Sequence, residues 1–119
     1  MWRMAFFVAL VIAGCAAPQP QQPRFPDREP FLYHITLTPY SAAICIARNA
    51  RGLPLTTAEE RTLGESSTEV VVRDRLGGVM AVARVDRTGP SSSDVRIRVS
   101  ERVQEDNATF TRKLLTSCG

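Results

Sequence analysis

Five of the chain's eight prolines fall within the fifteen residues from Ala16 to Pro30, in the stretch AAPQPQQPRFPDREP, together with three glutamines. Proline has no backbone N–H and fixes φ, so such a stretch builds neither helix nor sheet interior and favours an extended, semi-rigid course. Any core must therefore come from the 89 residues between Phe31 and Gly119. A domain of that size buries only about 60–65% of its unfolded surface and benefits from a covalent staple. The segment reads as a spacer; its Pro20-x-x-Pro23-Arg24 run is the one place where a proline-docking motif offers an alternative.

What precedes the spacer has a different composition. Arg3 supplies one positive charge, Ala5 to Ala13 is uninterruptedly apolar, and Gly14-Cys15 closes the stretch. That is the layout of an export signal, and its apolar part is too short to cross a bilayer core of about 30 Å. Val11-Ile12-Ala13-Gly14-Cys15 resembles the lipobox of the bacterial lipoprotein class. The resemblance implies cleavage before Cys15, a diacylglycerol on its sulfur and an acyl chain on its amine, a stable anchor without a spanning helix. Ala16 after the cysteine is similar to the pattern of lipoproteins forwarded to the outer membrane, which would leave the domain facing the periplasm. The expected organisation is a signal peptide over residues 1–14, an acylated cysteine and spacer over 15–30, and one domain over 31–119.

With Cys15 acylated, Cys45 and Cys118 remain, an even number in an oxidising compartment, so one disulfide is expected. Closing a loop of about 70 residues would stabilise the fold by about 4 kcal/mol in the chain-entropy model. The alternative use of Cys45 is as a nucleophile, for which His34, the only histidine, is the available base.

Within the domain, Phe31 to Leu37 alternates as a strand. Thr38-Pro39 is a helix start and Gly52 a stop, with Tyr40, Ala43, Ile44 and Ala47 on one face; alternation of Ile44 and Ile46 leaves a strand open, but the caps favour helix. Thr57-Ala58-Glu59-Glu60 has capping-box spacing, which predicts a short helical turn through Leu63. Glu69–Arg73, Val79–Val85 and Val95–Val99 read as strands, the first two joined through Gly77-Gly78. Asn107 is placed to cap a terminal helix carrying Phe110, Leu114 and Cys118, with an edge strand over Thr109–Leu115 as the alternative. The expected fold is α+β: a small antiparallel meander of three to four strands packed by two short helices, with one disulfide.

Catalytic and cofactor motifs are missing from the sequence: no G-x-S-x-G, H-E-x-x-H, C-x-x-C or phosphate loop occurs, and one histidine argues against a zinc site. No cofactor, metal or catalytic residue is expected. The formal charge is +3, and about +2 without Arg3, too little for the dense cationic surface of a nucleic-acid binder. Alternation in the third strand nevertheless sets Arg96 and Arg98, with Arg102 beyond, opposite Val95, Ile97 and Val99. Arginine's planar fork suits carboxylates and phosphates. The expected role is a membrane-anchored, non-enzymatic envelope component that engages another protein. The alternative is a module for an anionic envelope ligand, such as lipid A, a phospholipid headgroup or peptidoglycan, held by Arg96, Arg98 and Arg102.

Overall fold

The computed structural model describes residue 25 and residues 29–119. The expected signal peptide, the expected acylation site Cys15 and nearly all of the expected spacer lie outside the described residues.

Strict alternation organises the sheet. Strand β5 (Ser92–Val99) buries Ser93, Val95, Ile97 and Val99 and exposes Asp94, Arg96 and Arg98. It lies between β1 (Phe31–Ile35) and β4 (Val79–Gly89); β3 (Ser67–Asp74) and β2 (Thr56–Thr62) follow, giving an all-antiparallel sheet in the order β1-β5-β4-β3-β2. The meander is therefore four strands long, and β1 pairs with its last strand to make five rather than three to four.

The fifth strand comes from β2, where a helical turn was expected. Thr57 and Glu60 have capping-box spacing, but Val70, Val71 and Val72 of β3 leave a β-branched edge that needs a partner. Seven residue pairs, from Thr56↔Asp74 to Thr62↔Thr68, provide it. The threonines at 56, 57 and 62 suit a strand, Ala58 packs on the core, and Arg51 donates to the Ala58 carbonyl at 3.2 Å. Long-range pairing thus overrides a local cap signal.

Helix α1 (Pro39–Arg51) starts at Thr38, whose hydroxyl accepts from the Ser41 N–H, and stops at Gly52. Its buried face is Ala42, Ala43, Ile46, Ala47 and Ala50, so Tyr40, 73% exposed, lies off the expected stripe. Helix α2 (Asn107–Leu114) forms at the terminus in place of an edge strand. Asp106 caps it, accepting from the Thr109 N–H and hydroxyl at 3.0 Å each, so the cap falls one residue before Asn107. Phe110 and Leu114 are buried; Cys118 lies beyond the helix and is bonded to Cys45, with Cα atoms 5.7 Å apart. Both helices pack on one face of the sheet around Val70, Val72, Ala81, Ala83, Val85, Val95 and Ile97. Among the described residues no helix or loop covers the other face, called the bare face below. No described helix is long and apolar enough to cross a membrane.

Candidate functional site

The bare face reads as rows of side chains running across the strands. Register places Leu32 beside Arg96, Arg96 beside Arg84, Arg84 beside Glu69, and Glu69 beside Arg61, one residue from each strand. The next row joins His34, Asp94 and Asp86, followed by Ser67. Arg98 stands in a third row beside Val82, which neighbours Val71. Two like-charged pairs, Arg84 with Arg96 and Asp94 with Asp86, are therefore directly opposite one another, an arrangement that disfavours strand pairing.

Contacts along a strand and directly across strands offset part of that repulsion. Arg84 Nε lies 3.3 Å from Asp86 Oδ1, which also accepts from the Ser67 hydroxyl at 2.5 Å. The Ser67 hydrogen bond, then Arg84 and the nearby charge of Arg96, hold the Asp86 carboxyl below the ordinary aspartate range. His34 Nδ1 is 2.8 Å from Asp94 Oδ1, and Arg61 lies 3.2 Å from Glu59, whose carboxyl it holds low. Arg96 and Arg98 make no ion pair among the described residues. They are the two guanidinium groups of this face with their forks free. Beside them Leu32 is 68% exposed on the edge strand. Arg98 also borders a shallow depression with Phe25, Glu29, Pro30, Phe31 and Asn107.

Arg102 is not part of this pair. It lies past the end of β5, its Nε 3.1 Å from Asp74 Oδ2, and its guanidinium occupies the space where a Cβ at Gly78 would sit. Alternation does not reach it, because the strand ends at Val99, three residues earlier. Its partner was legible only as a turn signal: Asp74 accepts from the N–H groups of Leu76 and Gly78 at 3.0 and 2.8 Å, closing the hairpin with Gly77 at φ +86°.

No protein-family model matches the chain, and no curated protein matches it. Its chemistry must be read from its own side chains.

Cys45 and His34 do not meet. Cys45 is on α1 with its sulfur bonded to Cys118, whereas His34 is on the bare face, since its neighbours Tyr33 and Ile35 point into the core. Tyr33 donates to Thr111 Oγ1 at 3.0 Å, and the Thr111 hydroxyl in turn donates to the Ala108 carbonyl. No three His, Cys, Asp or Glu residues among those described stand where they could share a metal ion.

Proposed function

We propose that this chain is an acylated envelope lipoprotein, anchored through Cys15, whose domain is a non-enzymatic module that binds another envelope protein across the bare face of its sheet. The observation that carries the reading is the row Leu32, Arg96, Arg84: an exposed leucine on an edge strand beside two guanidinium groups set against each other. A row that sheet stability disfavours, next to an uncovered apolar side chain, suits a partner offering carboxylates around an apolar contact.

A photo-crosslinking residue at Leu32 in intact cells tests this, with Arg48 on the exposed side of α1 as the control position. The expected result is a discrete adduct from position 32, absent at position 48 and lost with Arg96→Glu. Monomer alone from position 32, or the same adducts from both positions, would remove the proposal.

A second reading, an anionic envelope ligand such as lipid A, a phospholipid headgroup or peptidoglycan, is favoured by one observation. Arg96 and Arg98 are two residues apart on one face, both without an acidic partner among the described residues. Salt-sensitive retention of the protein on immobilised lipid A or peptidoglycan fragments, abolished by Arg96→Gln with Arg98→Gln, is its expected signature; retention unchanged by both substitutions would exclude it.

A further inference from the structure

We infer that the β3–β4 hairpin is a membrane-surface contact, with Leu76 entering the lipid interface and Arg75 meeting anionic headgroups. The inference rests on the reading that Cys15 is acylated, and it adds which end of the domain touches the bilayer.

The topology gathers a particular set of residues at one end of the sheet. β1 begins there and β5 ends there, because Phe31 pairs with Ile97 and the depression at Arg98 and Val99 is lined by Phe25, Glu29 and Pro30. β4 begins and β3 ends at the same end: Val99 pairs with Ala81, Ser100 Oγ donates to the Val79 carbonyl, and Arg102 reaches Asp74. β2 starts there too, with Thr56 opposite Asp74. The chain thus enters the domain at the end where the β3–β4 hairpin projects. Nine residues lie between Cys15 and Phe25, ten steps of chain with a reach of at most about 36 Å. A connection of that reach lets an anchored domain set its entry end on the membrane surface.

The side chains at that end have interfacial chemistry. Leu76 at the hairpin tip is 83% exposed, more than any other large hydrophobic residue described, and Leu55, just before β2, is 66% exposed. Turn tips are ordinarily polar. Arg75 is exposed beside Leu76 and makes no ion pair among the described residues, and Arg73 donates to the Gly77 carbonyl within the same turn. A leucine preceded by an arginine with a long apolar stem can bury its side chain among acyl chains while the guanidinium group stays at the phosphates. The hairpin is built to hold that shape, since Asp74 accepts two backbone N–H groups across it and Arg102 braces it from the turn after β5.

With the strands upright on the membrane, the row of Leu32, Arg96 and Arg84 faces sideways, clear of the lipid. One surface orients the domain and another remains free for a partner.

The experiment uses the full chain in a Trp2→Phe background, so that one introduced tryptophan is the sole reporter. Leu76→Trp places it at the hairpin tip. Leu63→Trp places it at the opposite end of the sheet, where Leu63 is 46% exposed. Protein purified from membranes is reconstituted into vesicles of phosphatidylethanolamine and phosphatidylglycerol, with and without brominated acyl chains. Trp emission at position 76 is expected to shift to the blue and to be quenched by brominated lipid several-fold more strongly than at position 63. Adding Arg75→Glu should reduce that quenching. Equal quenching at the two positions, or a position-76 signal insensitive to brominated lipid, would overturn the inference, including the case in which the tip is covered by a protein instead. The mass of the same preparation reports acylation independently: an acylated chain with an unquenched tip defeats the hairpin contact alone, and an unacylated chain with a quenched tip defeats the anchor alone.

Discussion

The side-chain amide of Asn49 donates to the Thr116 carbonyl at 2.8 Å and, with its second hydrogen, to the Leu114 carbonyl at 2.9 Å. One residue of α1 thus satisfies two acceptors at the end of α2 that helical bonding leaves open. Asn49→Ala is expected to cost about 1–3 kcal/mol by leaving both carbonyls without that donor. In a domain of this size each kcal/mol lowers the melting temperature by about 4–8 °C. Asn49→Asp, with the same shape, should be the more damaging change, because it sets an acceptor against two acceptors. Thermal melts of the two variants decide it.

The same junction carries the disulfide, and Asn49 Nδ2 lies 3.3 Å from Cys118 Sγ. The bond closes a loop across 73 positions, worth about 4 kcal/mol in the chain-entropy model. Urea unfolding with and without reductant should show a loss of that order, as should a Cys45→Ser, Cys118→Ser pair. Because Asn49 touches the bond, its substitution and the loss of the disulfide should not add independently. Additivity within error would show that Asn49 acts only on the helix terminus.

Three aspartates have carboxyls held below their ordinary range: Asp74 by the Gly78 N–H first and then Arg102 and the Leu76 N–H, Asp86 by Ser67 and Arg84, and Asp106 by the Thr109 N–H and hydroxyl. A carboxyl depressed in the folded state stabilises it fully above the unfolded value of about 3.9, and that contribution is lost as pH falls through the lower folded value. The melting temperature should therefore decline as the solution is acidified below about pH 4. Asp74→Asn should make the decline shallower, since the hairpin then has no charge to lose. An equally steep decline in this variant would assign the acid sensitivity to the other carboxyls.

Features of the sequence that act over a few residues translate directly into structure. Thr38-Pro39 starts α1 as its capping chemistry requires, Gly52 ends it but at φ −76° rather than in the left-handed conformation that glycine makes easy, and Cys45 is bonded to Cys118 as expected. Alternation in Val95–Val99 assigns Arg96 and Arg98 to the bare face correctly. What was hidden depends on partners far along the chain. β2 carries a capping-box spacing, and only the open edge of β3 makes it a strand. The β4–β5 connection carries Gly-Pro and three serines, yet Gly89 pairs with Ser92 around a tight turn, so both strands run longer than their hydrophobic residues indicate. The face of α1 was shifted because Tyr40 and Ile44 outweigh alanine in any hydrophobic tally. The helix instead buries alanines, whose small side chains let it lie close to the sheet. The opposition of Arg84 and Arg96 needed the register, which no single strand's pattern contains.

Under the proposed function, that opposition lets stability and partner binding be told apart. Arg96→Gln removes a guanidinium facing Arg84, which relieves repulsion of about 0.2–1 kcal/mol, but also withdraws the favourable field at Asp86. The two effects have opposite sign and similar size at an exposed position, so the net change in stability should stay within about 0.5 kcal/mol. Partner capture through Leu32 should fall sharply in the same variant. Chemical denaturation measured beside the crosslinking assay checks both halves. A variant that loses stability in proportion to its lost adduct would mean that Arg96 serves the sheet, whereas a stable variant with no adduct assigns the residue to the interface. Arg102→Gln is the matched control: it should weaken the hairpin by removing the Asp74 ion pair while leaving the adduct at position 32 in place.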